Sequence, residues 1–309
     1  MLDIGGLVVA SGRATQNSPM VSLSLIAAGL TLNAPNFSED HLGVSYLEWL
    51  TNSIVATVIV VATIVYLARQ ATRRLEIIPG PSQNMFEAVM VILYDALEGI
   101  VGKHMVGKVF SLLATLFIFI LTANWFGLLP GVGSIGWGEV TGSFRYVPDV
   151  VVPVLRPTTA DLNMTLGMSV IFMAFWAYWT FSEVGVWGFL KHEFGVKGGL
   201  KGFMALILAP IFFFVGIIEI VSIGFRPLSL SLRLFGNVFA GENLLTTMIT
   251  LGKTLGLPDW AGALMSVTVP LPFYFLELLI GLLQAMVFVL LCAVYIQLST
   301  SHDEEEAHH

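Results

Sequence analysis

The residues that could do chemistry in this chain stand inside apolar sequence. Between Ile217 and Asn243, IIEIVSIGFRPLSLSLRLFGNVFAGEN, lie Glu219, Arg226, Arg233, Asn237 and Glu242; a second apolar run carries Glu277 and Gln284. Placing an arginine at the middle of a membrane helix costs about 2.5–3.5 kcal/mol on insertion scales. Such a residue persists only where it faces protein, water or a moving charge. Carboxylates along membrane helices mark proton or ion relays. A fixed arginine between them blocks direct passage by charge repulsion and, since a guanidinium does not deprotonate, cannot relay the proton itself. The pattern therefore predicts two half-paths on either side of a positive barrier, with something else carrying the ion past it.

Helical spacing sorts these groups. Asn237 lies one turn beyond Arg233 and about 40° round from it. Glu219 is fourteen residues before the arginine, about 40° off on an ideal helix, although Pro227 disturbs that phase. Glu242 is nine residues after it, about 13.5 Å along and on the opposite side. Glu277 and Gln284, seven apart, share one face. Arg226, beside Pro227, reads as a residue that snorkels or lines a kink. Asn237 reads equally as an interhelical hydrogen-bonding residue. Ser229 and Ser231 read as hydroxyls bonded back to their own helix.

The elements that must position these groups follow from composition. Of 309 residues, 56% are hydrophobic and only 11% charged, against about 25% charged in soluble domains. This is the composition of an integral membrane protein. The net charge of −7 owes much to the tail, where Asp303, Glu304, Glu305 and Glu306 form a solvated end. Cys292 is the sole cysteine, so no intramolecular disulfide exists, and it reads as a packing residue. His41, His104, His192, His302, His308 and His309 show no metal-ligand spacing. No metal, cofactor or nucleic-acid partner is expected.

In order along the chain, residues 1–45 read as an external tail, with Met20 to Leu32 faintly resembling a secretory leader. Tyr46 to Ala68 is long enough to span and ends in Arg69, Arg73 and Arg74, which by the positive-inside tendency places the N-terminus outside. Pro79-Gly80-Pro81 breaks the chain, Ser82 is the expected N-cap, and the following amphipathic stretch suits the membrane surface, with a soluble packing helix as the alternative. Phe110 to Leu129 spans. Residues 131–160 read as an external loop whose bases are Arg145 and Arg156. Leu162 to Phe181 spans back, with Trp176, Tyr178 and Trp179 as an interfacial belt, and Lys191, Lys197 and Lys201 follow inside. Phe203 to Leu251 is either two spans or one long tilted helix. With Ala261 to Leu298 it reads as a slanted hairpin around a short polar turn. No internal repeat, nucleotide-binding loop or hydrolase triad is present.

The segment SLSLRLFGNV (229–238), continuing through FAGE to Glu242, resembles the signature of subunit a of the F-type rotary ATP synthase. PGPSQNMFE (79–87), NWFGLLP (124–130), RPTTADLNMT (156–165) and LLQAMVFVLLCAVYI (282–296) recur in the family's order, so the resemblance covers roughly residues 46–300. It implies an all-α integral membrane protein: one N-terminal span, a surface amphipathic helix, a transmembrane hairpin, and two long tilted C-terminal helices packed against a c-ring. Residues 46–300 would be the membrane domain and 301–309 an acidic cytoplasmic tail.

The implied function is that of a stator subunit whose two aqueous half-channels carry protons or Na⁺ to and from the c-ring carboxylate. Arg233 matches the arginine facing that carboxylate. Asn237, Glu242, Glu277 and Gln284 match polar positions on the ion-uptake side, and Glu219 an acidic position on the opposite side. Many relatives have a histidine at the position of Glu242 or Glu277, whereas both are Glu here. Implied partners are the c-ring, b-type peripheral-stalk subunits, the remainder of the FoF1 complex and membrane lipid. The subunit has no nucleotide site of its own and is enzymatic only within the complex. A bacterial plasma membrane is the expected location, with an organelle's inner or thylakoid membrane as the alternative. A stand-alone transporter or a purely structural subunit are the rival classes; the first lacks its usual repeats and the second leaves the cost of the buried charges unexplained.

Overall fold

Where lipid offers no hydrogen bonds, a segment must bond its own backbone, and the long apolar runs among the described residues do so as helices. The computed structural model describes residues 51–73, 80–129, 132, 136–137, 152–153, 155–189 and 203–300. The expected outer tail and the acidic C-terminal tail lie outside the described residues.

Helix α1 (Asn52–Thr72) is rich in Val, Ile and Thr and begins at Thr51, whose hydroxyl caps the amide of Ile54. Helix α2 (Pro81–Val101) corrects the expected cap. Ser82 lies inside the helix, Gly80 is the N-cap without a side-chain bond, and Pro81 takes the first helical position, where its missing N–H costs nothing. Gly102, at φ +81°, ends α2 and starts α3 (Lys103–Gly127). A side chain would resist that left-handed conformation. The second span thus begins seven residues earlier than its hydropathy suggested.

A short antiparallel ladder pairs β1 (Gly136–Trp137) with β2 (Val152–Pro153). A 3₁₀ turn (Thr158–Ala160) then leads into α4 (Leu162–Glu183), capped by Asp161, which accepts the Asn163 amide at 3.0 Å. The long apolar run is a single helix, α5 (Phe203–Thr254), of 52 residues, with Pro210 and Pro227 inside it. At 1.5 Å per residue it extends about 78 Å, more than twice a hydrocarbon core. The last run is not continuous: α6 (Asp259–Thr268) stops at Val269, and α7 (Pro270–Thr300) starts on a proline.

Among the described residues, five segments are long and apolar enough to cross a membrane: α1, α3, α4, residues 210–252 of α5, and residues 259–299 spanning α6 and α7. Helix α2 is not among them. The core lies where α2, α3 and α7 meet, around Leu97, Leu113, Ile120 and Phe288, and continues to Phe172 of α4 and Leu234 of α5. Trp176 and Trp179 belong to this interior, at 4% and 9% exposure, and only Tyr178 faces outward. The predicted aromatic belt is therefore corrected for two of its three residues, because their rings fill the space between helices.

Contacts sort the helix ends into two layers. At one end Ser53 of α1 donates to Asp161 at 2.6 Å, and Trp125 of α3 donates to the Leu278 carbonyl of α7. At the other, Lys108 of α3 pairs with Glu183 of α4, and Trp176 donates to Ser299.

Candidate functional site

Helix α5 carries Glu219, Arg226, Arg233, Asn237 and Glu242 in that order along one axis, so the arginine lies between the two layers. Its burial follows helical geometry. Leu230, Leu234, Gly241 and Leu245 are covered, while Ser229, Arg233, Asn237, Ala240 and Leu244 form an exposed stripe at spacings of four, four, three and four. Arg233 stands on that open stripe, and among the described residues no carboxylate lies within ion-pair distance of it. Glu242 faces the other way, as its nine-residue spacing requires.

The polar groups gather beyond Arg233. Asn237 donates to the Gln284 side chain at 2.6 Å, joining α5 to α7. Glu277 of α7 seats its carboxylate on the backbone of Gly241, where a Cβ would overlap it. Next to it, Glu242 Oε2 lies 3.8 Å from Nε of Arg156. That separation makes an ion pair but not a hydrogen bond. The chain around Arg156 is held down by its neighbours. Pro157 packs against Gly127, where a Cβ would come within 2.9 Å of it, and Thr159 donates to Asn124, which donates in turn to the Gly281 carbonyl.

Several atoms in this cluster are buried without a hydrogen-bond partner among the described residues: Glu242 Oε2, Asn243 Oδ1, Gln284 Nε2 and Thr158 Oγ1. Buried polar groups that the protein leaves unmatched are ordinarily served by water. The grouping is thus suited to a wet, polar path between α5, α7 and the 3₁₀ turn.

On the other side of Arg233 the arrangement is different. The Arg226 guanidinium lies 4.8 Å from the ring centroid of Tyr295 and 5.7 Å from that of Trp176, a cation–π seat. Trp176 also donates to the Tyr295 carbonyl at 3.0 Å. Arg226 therefore faces α4 and α7, which agrees with its structural reading. Ser231 bonds back to the Leu228 carbonyl, as expected. Glu219 is half-buried on α5 and stands apart from the cluster formed by Asn237, Glu242, Glu277 and Gln284.

The residue that sequence reasoning missed is Arg156. It was counted as a loop base, yet it is 4% exposed and paired with Glu242. The one signal was its place at the head of RPTTADLNMT; nothing in hydropathy or spacing links it to a helix that starts almost fifty residues later. Asn124 and Asp161 were likewise quoted only within motifs, and both prove to be buried connectors.

The family model described as ATP synthase A chain matches residues 50–297. Among curated relatives, the chain is 32% identical to "ATP synthase subunit a" of Desulfotalea psychrophila, over 92% of this chain and 98% of the relative. It is 34% identical to the subunit of the same name in Trichlorobacter lovleyi, over 83% and 89%. For that of Protochlamydia amoebophila the figures are 30% identity over 82% of each chain.

Proposed function

Because the chain belongs to the ATP synthase subunit a family, we propose that it provides two aqueous half-channels carrying protons or Na⁺ to and from the carboxylates of a rotating c-ring. As a family member it is a multi-pass membrane subunit of the FoF1 complex, the Fo stator subunit involved in ion translocation. The finer reading assigns Arg233 the coupling role. Asn237, Glu242, Glu277 and Gln284 line the uptake path, and Glu219 serves the opposite path.

The observation that carries this reading is Arg233: an exposed guanidinium on an apolar helix, with no ion-pair partner among the described residues. A charge so placed calls for an anionic partner from another subunit. Small residues beside it, Ser229 and Ala240, leave room for a second helix to approach closely. A ring carboxylate is neutral where it faces lipid, loses its ion opposite Arg233, and reloads from the other half-channel. Each charge crossing 100 mV supplies about 2.3 kcal/mol, so several crossings serve each ATP.

In this reading residues 46–300 form the membrane domain, packed on the c-ring through α5 and α7 and joined by b-type peripheral-stalk subunits and lipid. Helix α2 lies at the cytoplasmic surface. Arg69 and Arg73 at the end of α1 support an outside N-terminus and a cytoplasmic C-terminus, and the bacterial origin of the relatives above supports a bacterial plasma membrane. The test is ATP-driven ion pumping by inverted vesicles carrying Arg233→Ala, with assembly of the complex checked on the same membranes. Assembly with pumping abolished supports the assignment; pumping near the normal rate refutes it.

A further inference from the structure

The polar cluster holds one buried cation and two acids, and they arrive from three separate segments. Arg156 comes from the chain preceding the 3₁₀ turn, Glu242 from α5 and Glu277 from α7. Consecutive residues of α5 receive the other two: Glu277 sits on Gly241, and Arg156 pairs with Glu242. The other charged groups nearby are otherwise engaged. Asp161 accepts from Ser53 on one oxygen and from the Asn163 amide on the other. Arg233 faces the opposite side of α5, and Arg226 lies against the rings of Trp176 and Tyr295. Among the described residues, Arg156 is the one cation within ion-pair distance of either acid.

One guanidinium balances one carboxylate. We propose that Arg156 is a positioning residue of the ion path, the counter-ion that holds Glu242 as a fixed carboxylate and leaves Glu277 as the acid that exchanges the transported ion. The geometry separates the two roles. Arg156 is almost fully covered, and the chain just after it is held by the Pro157 contact with Gly127 and the Thr159 bond to Asn124, so it is poorly placed to follow a moving ion. Glu277 is half-buried, rests against the Gly241 backbone, and shares α7 with Gln284, which continues the line to Asn237. A proton bound at the Glu277 carboxylate on the uptake side leaves it toward that pair, with Glu242 and Arg156 unchanged before and after.

This inference rests on the half-channel reading. It is tested in membranes in which the complex has assembled and the catalytic head has then been stripped away, by potential-driven ion flux per assembled subunit. Arg156→Met lowers flux about tenfold, and Arg156→Lys restores most of it. Arg156→Met/Glu242→Gln, with neither charge left, recovers several-fold over Arg156→Met. Arg156→Met/Glu277→Gln does not recover. Normal flux in Arg156→Met, no gain in the first double variant, or equal gain in both overturns the proposal. Should Arg156→Met fail to assemble, the two double variants decide: assembly and flux regained only with Glu242→Gln supports it, and regained in both or neither overturns it. Loss of pumping in Arg233→Ala without this pattern sinks this inference alone, whereas retained pumping in Arg233→Ala sinks the reading beneath it.

Discussion

Asn237 donates a 2.6 Å hydrogen bond to Gln284, tying α5 to α7 one helical turn beyond Arg233. An apolar helix pair slides or rotates with little penalty, because lipid tails are as apolar as Leu. An amide pair inside the membrane helps to fix the rotation of α5, and with it the direction in which Arg233 points. The other amide hydrogen-bonding atom of Gln284, Nε2, is buried and unmatched within the protein, so the pair also offers a donor to whatever passes.

Gln284→Leu removes the acceptor and leaves the Asn237 amide without its partner, a loss of about 1–3 kcal/mol if the site stays dry. The expected outcome is an assembled complex with ATP-driven pumping reduced several-fold. Gln284→Glu, which keeps an acceptor, retains more. Pumping at the normal rate in Gln284→Leu removes any positioning role for this bond.

Gly241 is a glycine because the Glu277 carboxylate occupies the place of its Cβ. Gly241→Ala is therefore expected to displace Glu277 and strongly depress pumping while the complex still assembles. Gly107→Ala on α3, where nothing lies within 4 Å, serves as the comparison and is expected to be nearly silent. Equal activity of the two variants contradicts the close approach.

The rings around Arg226 make a prediction about stability rather than transport. Trp176 is buried, seats the guanidinium, and donates to Tyr295 and Ser299. Trp176→Ala is expected to cost about 3–5 kcal/mol, as for large aromatic truncations in cores. Arg226→Lys keeps the charge and loses the planar stack, at about 0.5–2 kcal/mol. Thermal loss of the subunit from detergent-solubilised complex measures both, and the order Trp176→Ala worse than Arg226→Lys is the check.

Asp161 caps α4 and accepts the Ser53 hydroxyl at 2.6 Å in a buried setting. Asp161→Ala removes cap and crosslink together, and is expected to cost more than Ser53→Ala, each within about 1–3 kcal/mol. Protease sensitivity of α1 in intact membranes reads the release of that helix from the bundle. A resistant Asp161→Ala variant shows that α1 is held by other contacts.

Much of this molecule was legible in its residues, and the reason is locality. Run length and hydropathy located the spans, since a helix crossing lipid needs about twenty apolar residues wherever it sits. Angular spacing placed Arg233 and Glu242 on opposite sides of one helix, because helical phase depends only on separation along that helix. Three matters belonged to tertiary structure. Phe203–Thr254 is a single helix: proline breaks a helix only where freed carbonyls find no other partner, and the neighbours that settle this lie far off in sequence. Trp176 and Trp179 turn inward, since packing against α7 decides which face of α4 is covered. Arg156 becomes the partner of Glu242 beside a close approach of Pro157 to Gly127, and Glu277 reaches α5 where Gly241 has no Cβ. Close approach between distant segments has no period along the chain, so only the folded arrangement could join that base to Glu242 and set Glu277 beside them.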